Sequence, residues 1–328
     1  MTSMTVLEAI NAAIAHELEH DSDVLVLGED VGVSGGIFRA TQGLQQRFGP
    51  QRVIDTPLDE KGIVAHAIGM GLYGAKPIVE IQFSGFIHDA FEQIMYCGTK
   101  YRWLTAGAYS VPMVIRAPSY GGIKGGYWHS QSPEAYYAHG GGIKIAVPTT
   151  PEDCYRLLLG AIRDPDPVLV LEPVPFYRSL RGEFDADGVA LEFGRARTVR
   201  SGADVTVIAW GPMLQRVEAV ADELAASRGV DCEIVDPRTL IPLDVDAVLE
   251  SVRRTGRLVV VHEAPGHGGY GAELATMVQH KAFGYLHAPV ERVTGLDVPY
   301  SFSIGDEYFR PDESRIRAGV LRAVEFEF

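Results

Sequence analysis

Glu60 is an acidic residue placed where an almost uncharged helix is predicted to begin. The turn Asp55–Asp59 precedes it, and Ile63, Ala67 and Met70 come after it at the spacing of one helix face. The simpler interpretation is a carboxylate that stabilises the helix by facing the positive end of its dipole. The functional interpretation is a carboxyl held in apolar surroundings with a raised pKa, where it can bind a ligand nitrogen. Local physics does not choose between the two.

The residues around Glu60 predict how this helix starts and which element comes next in the chain. Thr56 is predicted to cap the helix, with Pro57 at the first helical position and Asp59 completing a capping box. After a Gly-Ala-Lys-Pro break, Pro77–Phe83 is predicted to be a buried strand.

His129 is the second residue that could do chemistry. It follows Tyr127 and Trp128 in the loop Pro118–Ser132, whose glycines permit a close backbone approach to a ligand. Those glycines are Gly121, Gly122, Gly125 and Gly126. Histidine is the side chain best suited to proton transfer near neutral pH. A lone histidine is usually structural, but its place between a predicted strand and helix makes His129 a functional candidate.

The elements that would position these residues follow a regular pattern. Helices alternate with short, β-branched, nearly continuous apolar strands, which predicts an α/β fold with a parallel sheet covered on both faces. One predicted helix is Ala90–Tyr101. The pattern lapses after the middle of the chain and then restarts as a second, smaller α/β unit. We therefore predict a first domain over residues 1–185, a linker over 186–203 and a second domain over 204–328.

Composition and charge limit the class of protein. The 328 residues are 46% apolar and 22% charged, as in globular proteins that bury a full core. A formal net charge of −14 argues against nucleic acid and anionic membrane surfaces as partners, and no apolar run is long enough to span a membrane. Cys97, Cys154 and Cys232 lie far apart, which predicts reduced core residues rather than disulfides or a zinc site. We expect a cytoplasmic protein.

Gly266, Gly268 and Gly271 form a GxGxxG pattern that leaves a nucleotide-dependent oxidoreductase open. Glu291 lies at the distance expected for a ribose-binding acid, and such an enzyme would bind NAD(H) through this chain alone. Against it, Glu263–Pro265 separates the predicted strand from the first glycine. Too little chain remains after the glycines to build the paired halves of that fold.

Several segments of the chain resemble one family, the β subunits of the thiamine-diphosphate-dependent 2-oxo acid dehydrogenases. They are GEDVG, FGPQRVIDTPLDEKGI, PIVEIQFSGF, HSQSPEAYYAH, GIKIAVPTTPED, DPDPVLVLEP and VDPRTLIPLD. The resemblance spans about Thr5 to Tyr300, and the HSQSPEAYYAH block is highly specific. It implies a transketolase-like pyrimidine-binding domain with a parallel sheet, followed by a smaller C-terminal domain of the transketolase type.

The resemblance also implies roles for individual residues. The family residue that matches Glu60 bonds the aminopyrimidine ring of the cofactor, which favours the functional interpretation of this acid. Leu58, Gln82 and Phe86 match positions that line the pyrimidine pocket, although Phe86 replaces a tyrosine often found there. Gly85 stands where an acid is common. His129 matches the active-site histidine, which handles protons around the decarboxylation product and its transfer to a lipoyl group.

The resemblance further implies cofactors and partners. The chain lacks the GDG motif that holds the Mg²⁺ and diphosphate of thiamine diphosphate in the wider superfamily. An α subunit is therefore expected to supply that half of the site in an α2β2 heterotetramer, which would dock on a lipoyl-bearing acyltransferase core. A monovalent cation, K⁺, is expected near four residues. These are Ala161, Ile162, Asp164 and Asp166.

The function implied is the oxidative decarboxylation of a 2-oxo acid with transfer of the acyl group to the lipoyl acyltransferase. Branched-chain 2-oxo acids are favoured from the EIQF and HSQSPEA segments, and pyruvate comes next. An acetoin dehydrogenase β subunit is a closely related alternative. A non-catalytic scaffold subunit with a vestigial pocket is the alternative outside the enzymes.

Overall fold

The computed structural model of the protein describes residues 1–300 and 305–327. The strands of the N-terminal half are β1 (Thr2–Thr5), β2 (Val24–Gly28), β3 (Val53–Asp55), β4 (Lys76–Glu80), β5 (Val114–Ser119), β6 (Lys144–Ala146), β7 (Val168–Pro173) and β8 (Arg181–Phe184). The helices are α1 (Val6–His20), α2 (Leu44–Phe48), α3 (Glu60–Leu72), α4 (Tyr101–Leu104), α5 (Glu134–Ala138) and α6 (Pro151–Arg163).

The C-terminal half continues the alternation of strands and helices. Its strands are β9 (Arg197–Arg200), β10 (Val205–Ala209), β11 (Cys232–Asp236), β12 (Thr239–Ile241), β13 (Leu258–Pro265) and β14 (Glu291–Gly295). Its helices are α7 (Met213–Arg228), α8 (Val245–Thr255), α9 (Tyr270–Ala282), α10 (Asp306–Phe309) and α11 (Glu313–Val324).

Two parallel sheets form the core of the described chain, and a short antiparallel pair, β1 with β8, flanks them. The first sheet has the order β12-β6-β7-β5-β4-β2-β3, and the second has the order β14-β13-β10-β11-β9. All the pairings are parallel except those of the edge strands β12 and β9. Every residue of β5 and β7 is buried, as expected for strands covered on both faces. The predicted α/β class with parallel sheets is confirmed.

A buried ionic network joins three neighbouring strands of the first sheet. Arg116 on β5 donates from Nη1 to Glu80 Oε2 of β4 at 2.8 Å, and from Nε to Glu172 Oε1 of β7 at 2.7 Å. Tyr177 donates its hydroxyl to Glu172 Oε2 at 2.5 Å. Burial alone would lower the pKa of Arg116, but the charges of Glu172 and Glu80 outweigh it and raise that pKa. Removing one partner of such a network costs about 3–5 kcal/mol.

The two halves of the chain are joined by a strand as well as by side chains. β12 belongs to the C-terminal half but extends the first sheet at its edge. Thr149 of the N-terminal half donates its hydroxyl to Asp236 Oδ2 of the C-terminal half at 2.6 Å. Within the C-terminal half, Tyr270 donates its hydroxyl to the Leu240 carbonyl of β12 at 2.6 Å. Because β12 pairs with β6, the division into residues 1–185, 186–203 and 204–328 assigns strands of one sheet to two domains. The division stays a proposal.

Several local predictions are wrong. The single helix predicted over Ala90–Tyr101 is instead a 3-10 turn (Phe86–Ala90), a π-helical segment (Gln93–Gly98) and α4. Within it, Thr99 donates its hydroxyl to the Met95 carbonyl at 3.0 Å, so a side chain competes for a backbone acceptor. Cys154 and Cys232 are buried as predicted, but Cys97 on the π-helical segment is exposed.

Glu134 gives the contact between the halves a pH dependence that can be measured. It is fully buried, accepts from Trp210 Nε1 at 3.2 Å, and has a pKa raised to about 7 by burial. Because the pKa of Glu134 is higher in the folded state than in the unfolded chain, protonation of this carboxyl favours the folded state. That contribution to stability is complete below the ordinary pKa and is lost as the pH rises through about 7.

For Glu134→Gln, we expect the free energy of unfolding relative to wild type to rise between pH 5 and pH 8, by up to about 3 kcal/mol. The glutamine keeps an acceptor for Trp210 but never ionises. Urea unfolding at a series of pH values measures the effect, with Glu183→Gln as an exposed control. A difference in the free energy of unfolding between wild type and Glu134→Gln that stays constant across this pH range would contradict the expectation.

Candidate active site

The carboxyl ends of four parallel strands meet at one edge of the first sheet. Chain leaving β2 carries Glu29, and chain leaving β3 carries Leu58 and Glu60. Chain leaving β4 carries Gln82 and Phe86, and chain leaving β5 carries the loop to His129. Ligands of open α/β sheets bind outside such carboxyl ends. A cavity of about 750 Å³ lies there, and it is lined by all five of the predicted residues: Leu58, Glu60, Gln82, Phe86 and His129.

Glu60 is held at the start of α3 and is 8% exposed. The residue that caps the helix is Asp59, whose Oδ1 accepts from the Gly62 amide at 2.9 Å. The prediction of Thr56 as the cap is therefore wrong, because the helix begins three residues later than a Thr56 cap would place it. A carboxylate cap immediately before Glu60 fixes the backbone from which this carboxyl enters the cavity.

Glu29 is a second acid in the cavity, and the sequence pattern did not mark it as a site residue. It is 7% exposed, and its Oε1 has no hydrogen-bond partner among the described residues. Burial, followed by the charges of Glu60 and Asp30, raises the pKa of Glu29 to about 7. A carboxyl with such a pKa can hold or release a proton at neutral pH. The signal that could have found Glu29 is its position directly after a buried strand.

His129 lies in a 3-10 turn, Tyr127–His129, at the end of the glycine-rich loop. Its Nδ1 lies 2.9 Å from the Gly125 carbonyl. A carbonyl only accepts, so Nδ1 carries the proton and Nε2 of the neutral ring keeps a lone pair. The rings of Phe83 and Phe86 meet the imidazole edge-on, with centroids 4.4 and 5.4 Å away. The ring is therefore fixed on one side and can exchange a proton on the other.

The loop before His129 is in a costly backbone conformation. Tyr120 and Lys124 have φ values of 75° and 58°, and Gly122 and Gly126 have φ values of 98° and 70°. Non-glycine residues in the left-handed region cost roughly 1–3 kcal/mol each and persist only where their surroundings hold them. Strain of this kind clusters at functional sites, which adds weight to His129 as a candidate.

Phe86 and Gly85 shape the wall between Glu60 and His129. Phe86 stacks on Trp128, with centroids 6.4 Å apart and planes inclined by 18°. A Cβ on Gly85 would lie 2.1 Å from the Trp128 carbonyl oxygen, so only glycine lets this wall approach the loop. Trp128, His88 and Asp89 also line the cavity, and the sequence pattern did not single them out for it.

The residues predicted to hold a monovalent cation are already paired with other groups. Lys144 Nζ lies 2.5 Å from Asp164 Oδ2, and Arg102 Nε lies 2.5 Å from Asp166 Oδ1. The Ala161 carbonyl accepts from the Asp164 amide at 3.2 Å. The two carboxylates thus have cationic partners of their own, and the cation site stays a prediction. No cluster of three or more His, Cys, Asp or Glu side chains suited to a metal ion occurs within residues 1–300 and 305–327.

Two of the glycines at 266–271, Gly269 and Gly271, have a packing role. β13 continues through Pro265, so the gap predicted between strand and glycines is absent. A Cβ on Gly269 would lie 2.8 Å from His262 Cε1, and one on Gly271 would lie 2.5 Å from His262 Nε2. His262 is fully buried and stacks on Trp210, with centroids 5.0 Å apart. These two glycines make room for a buried imidazole, which weakens the case for a nucleotide site.

Comparison with known proteins gives the family. The transketolase pyrimidine-binding domain matches residues 2–179, and the transketolase C-terminal domain matches residues 194–316. The 2-oxoisovalerate dehydrogenase subunit beta of Pseudomonas aeruginosa is 42% identical over 99% of this chain and 96% of its own length. The chain belongs to the 2-oxo acid dehydrogenase β subunits. The resemblance seen in the sequence is confirmed.

Other relatives and a solved structure agree with this family. The pyruvate dehydrogenase E1 component subunit beta of Bacillus subtilis is 40% identical over 99% of this chain and all of its own length. A structure titled "Split gene transketolase, inactive beta4 tetramer" matches with a TM-score of 0.80 and 22% identity over 99% of both chains, which supports the fold. Membership of the family makes this chain an enzyme subunit. It implies thiamine diphosphate as the cofactor and an α subunit as a partner.

We expect Gly85→Ala to lower the activity of the assembled enzyme by on the order of 10²-fold, because the new Cβ would push the Trp128 carbonyl and with it His129. Steady-state turnover of the co-expressed α and β chains measures the effect. Gly284→Ala is the matched control, because a Cβ there meets nothing within 4 Å. Equal turnover of Gly85→Ala and wild type would show that the wall does not set the position of His129.

Proposed function

We propose that this chain, assembled with an α subunit, catalyses the thiamine-diphosphate-dependent oxidative decarboxylation of a 2-oxo acid and passes the acyl group to a lipoyl-bearing acyltransferase. The observation that carries the proposal is the cavity at the strand ends, which brings together Glu60, Glu29 and His129. It combines buried acids, an aromatic wall and a neutral imidazole. These groups suit cofactor activation and proton transfer.

The cavity residues fit the pyrimidine half of thiamine diphosphate. Glu29 offers a buried oxygen that has no partner among the described residues, and Glu60 is a buried carboxyl at a fixed helix start. We assign Glu60 to the ring nitrogen of the aminopyrimidine, and Leu58, Gln82 and Phe86 to the sides of the ring. Phe86 supplies an aromatic face but no hydroxyl. When bound, the cofactor supplies an electron sink for the carbon–carbon bond that is broken.

We assign proton handling at the acyl end of the cavity to His129. Its protonated Nδ1 is held by the Gly125 carbonyl, so Nε2 is the atom that accepts or donates a proton during acyl transfer. Phe83 and Phe86 contact the ring edge-on and restrict its rotation. Glu29, with a pKa of about 7, can hold or release a proton next to Glu60 at physiological pH.

The open side of the cavity supports an active site completed by another subunit. Leu58 is 79% exposed and Trp128 is 54% exposed, although both are large apolar residues beside buried acids. We propose that the α subunit covers this rim in an α2β2 heterotetramer and holds the diphosphate and Mg²⁺. No role is assigned to K⁺, because Asp164 and Asp166 already pair with Lys144 and Arg102.

The substrate is proposed as a class, with branched-chain 2-oxo acids first and pyruvate second. The relatives named for 2-oxoisovalerate and for pyruvate are 42% and 40% identical to this chain, which is too small a difference to separate them. An acetoin dehydrogenase β subunit is the remaining enzymatic alternative. Comparison of kcat/KM for 3-methyl-2-oxobutanoate, pyruvate and acetoin with the assembled enzyme decides among the three.

A cytoplasmic location is also part of the proposal. In the part of the chain that the structure describes, no helix has the length and apolar character needed to cross a membrane.

Calorimetry of thiamine diphosphate with Mg²⁺ tests the divided site. We expect weak or absent binding to this chain alone and tight binding to the assembly with the α subunit, because this chain offers only the pyrimidine half. Tight binding to the isolated chain would show that it holds the diphosphate itself. A stable assembly that binds no cofactor would favour the scaffold alternative.

Glu60→Gln should lower turnover of the assembly by roughly 10²- to 10⁴-fold, because the amide cannot exchange a proton with the cofactor ring. Glu152→Gln, at an acid on the surface of α6, should retain full turnover. Size-exclusion chromatography of both variants shows whether the assembly is intact. Full activity of Glu60→Gln in an intact assembly would rule out the proposed role.

A further inference from the structure

We infer that Glu263 and Asp306, both in the C-terminal half of the chain, are positioning residues that hold the His129 loop in its working geometry. The inference rests on the function proposed for His129. Neither acid lines the cavity. They act through the backbone of residues 121–124, which join β5 to the turn that carries the histidine.

Three consecutive contacts link the loop to these carboxylates. Glu263 Oε1 accepts from the Gly121 amide at 2.5 Å. Asp306 Oδ2 accepts from the Gly122 amide at 3.1 Å and from the Lys124 amide at 3.1 Å. The Gly121 amide is buried and needs an acceptor, whereas Gly122 and Lys124 are exposed residues. All three amides find their acceptors on elements more than 140 residues away along the chain.

The loop packs closely against Asp306 and Arg310 at two of its glycines. A Cβ on Gly121 would lie 2.7 Å from Asp306 Oδ1, and one on Gly122 would lie 3.0 Å from Arg310 Nη1. Tyr120 and Lys124, which have left-handed backbone conformations, lie at the two ends of the segment whose amides are bonded to Glu263 and Asp306. The anchors therefore hold a strained segment that would otherwise relax.

Burying the Glu263 carboxyl costs free energy, and only one amide is bonded in return. It is 1% exposed, and its Oε2 has no hydrogen-bond partner among the described residues. Arg310, 5% exposed, faces this pair of acids, with its Nε 3.8 Å from Asp306 Oδ1. A buried carboxyl that is only half satisfied contributes little to folding. Its direct hold on the loop gives a reason for its presence.

The anchored segment controls the tautomer and position of His129. The Gly125 carbonyl, one residue beyond Lys124, is the group that orients Nδ1. If the amides of Gly121 and Lys124 lose their acceptors, this carbonyl moves and Nε2 no longer faces its target. Glu60 and Leu58, on α3 and the turn before it, form the part of the pyrimidine side that is built outside the loop.

The test compares Glu263→Ala and Glu263→Gln in the co-purified assembly with the α subunit. Hydrogen exchange followed by mass spectrometry should show at least a tenfold faster exchange of residues 120–130 in Glu263→Ala. Glu263→Gln keeps a carbonyl oxygen for the Gly121 amide, so it should retain slow exchange. Glu233→Ala removes an equally buried acid that bonds Ser251 and Arg254, away from the loop, and should leave the exchange of residues 120–130 unchanged.

Turnover with a 2-oxo acid and a lipoyl acceptor gives the second readout. We expect kcat to fall at least tenfold in Glu263→Ala and less than threefold in Glu263→Gln, with the Kd for thiamine diphosphate unchanged in both. A role in folding alone would lower the melting temperature without this difference in kcat. Slow loop exchange in Glu263→Ala overturns the inference whatever the activity. A wild-type assembly without turnover overturns the proposed function instead, and the exchange result alone then decides whether Glu263 anchors the loop.

Discussion

The buried guanidinium of Arg116 is the constraint on which the geometry of the site depends. A charge in the middle of a sheet is tolerated only when carboxylates on the neighbouring strands neutralise it, and Glu80 and Glu172 do so. The network thereby fixes β4, β5 and β7 against one another close to their carboxyl ends. A Cβ on Gly36 would lie 2.5 Å from Glu80 Oε1, so the glycine-rich loop that begins with Glu29 packs on the same network.

An aromatic path extends this constraint to His129. Tyr177, bonded to Glu172, meets Phe38 edge-on at 5.3 Å, and Phe38 meets Phe83 at 5.2 Å. Phe83 in turn meets His129 at 4.4 Å. Packed rings cannot shift singly without opening a void. The charge network and the imidazole are therefore linked by one continuous series of packed rings.

The sequence predicted the regular parts of this molecule well, because those parts follow local rules. Buried parallel strands such as β5 and β7 are apolar along most of their length, and Glu60 stands at a recognisable helix start. Motif resemblance, rather than periodicity, brought Gln82 and Phe86 into the same site as Glu60. The spacing of Gln82 and Phe86 from Glu60 in the chain does not predict that the three residues share a cavity.

The features that the sequence did not predict depend on contacts between distant segments. The break in the helix predicted over 90–101 is accompanied by a hydrogen bond from the Thr99 hydroxyl to the Met95 carbonyl, and β12 joins the first sheet through pairing with β6. In the sequence, Glu29 is only an acid in a glycine-rich loop. Its raised pKa depends on burial and on the charge of Glu60, which follow from the fold. Likewise, nothing in the neighbourhood of Glu263 in the sequence indicates that it bonds a loop 142 residues away.

The buried acids around this site lower the stability of the fold at neutral pH. Burial raises the pKa of Glu134 and of Glu263 to about 7, so each favours folding while protonated and loses that contribution as the pH rises through neutrality. Apolar residues would fill the same space without this cost. An acid can, however, accept from Trp210 or from the Gly121 amide and so hold groups of one half of the chain against the other. The site thus gains a rigid loop from groups that weaken the fold at neutral pH.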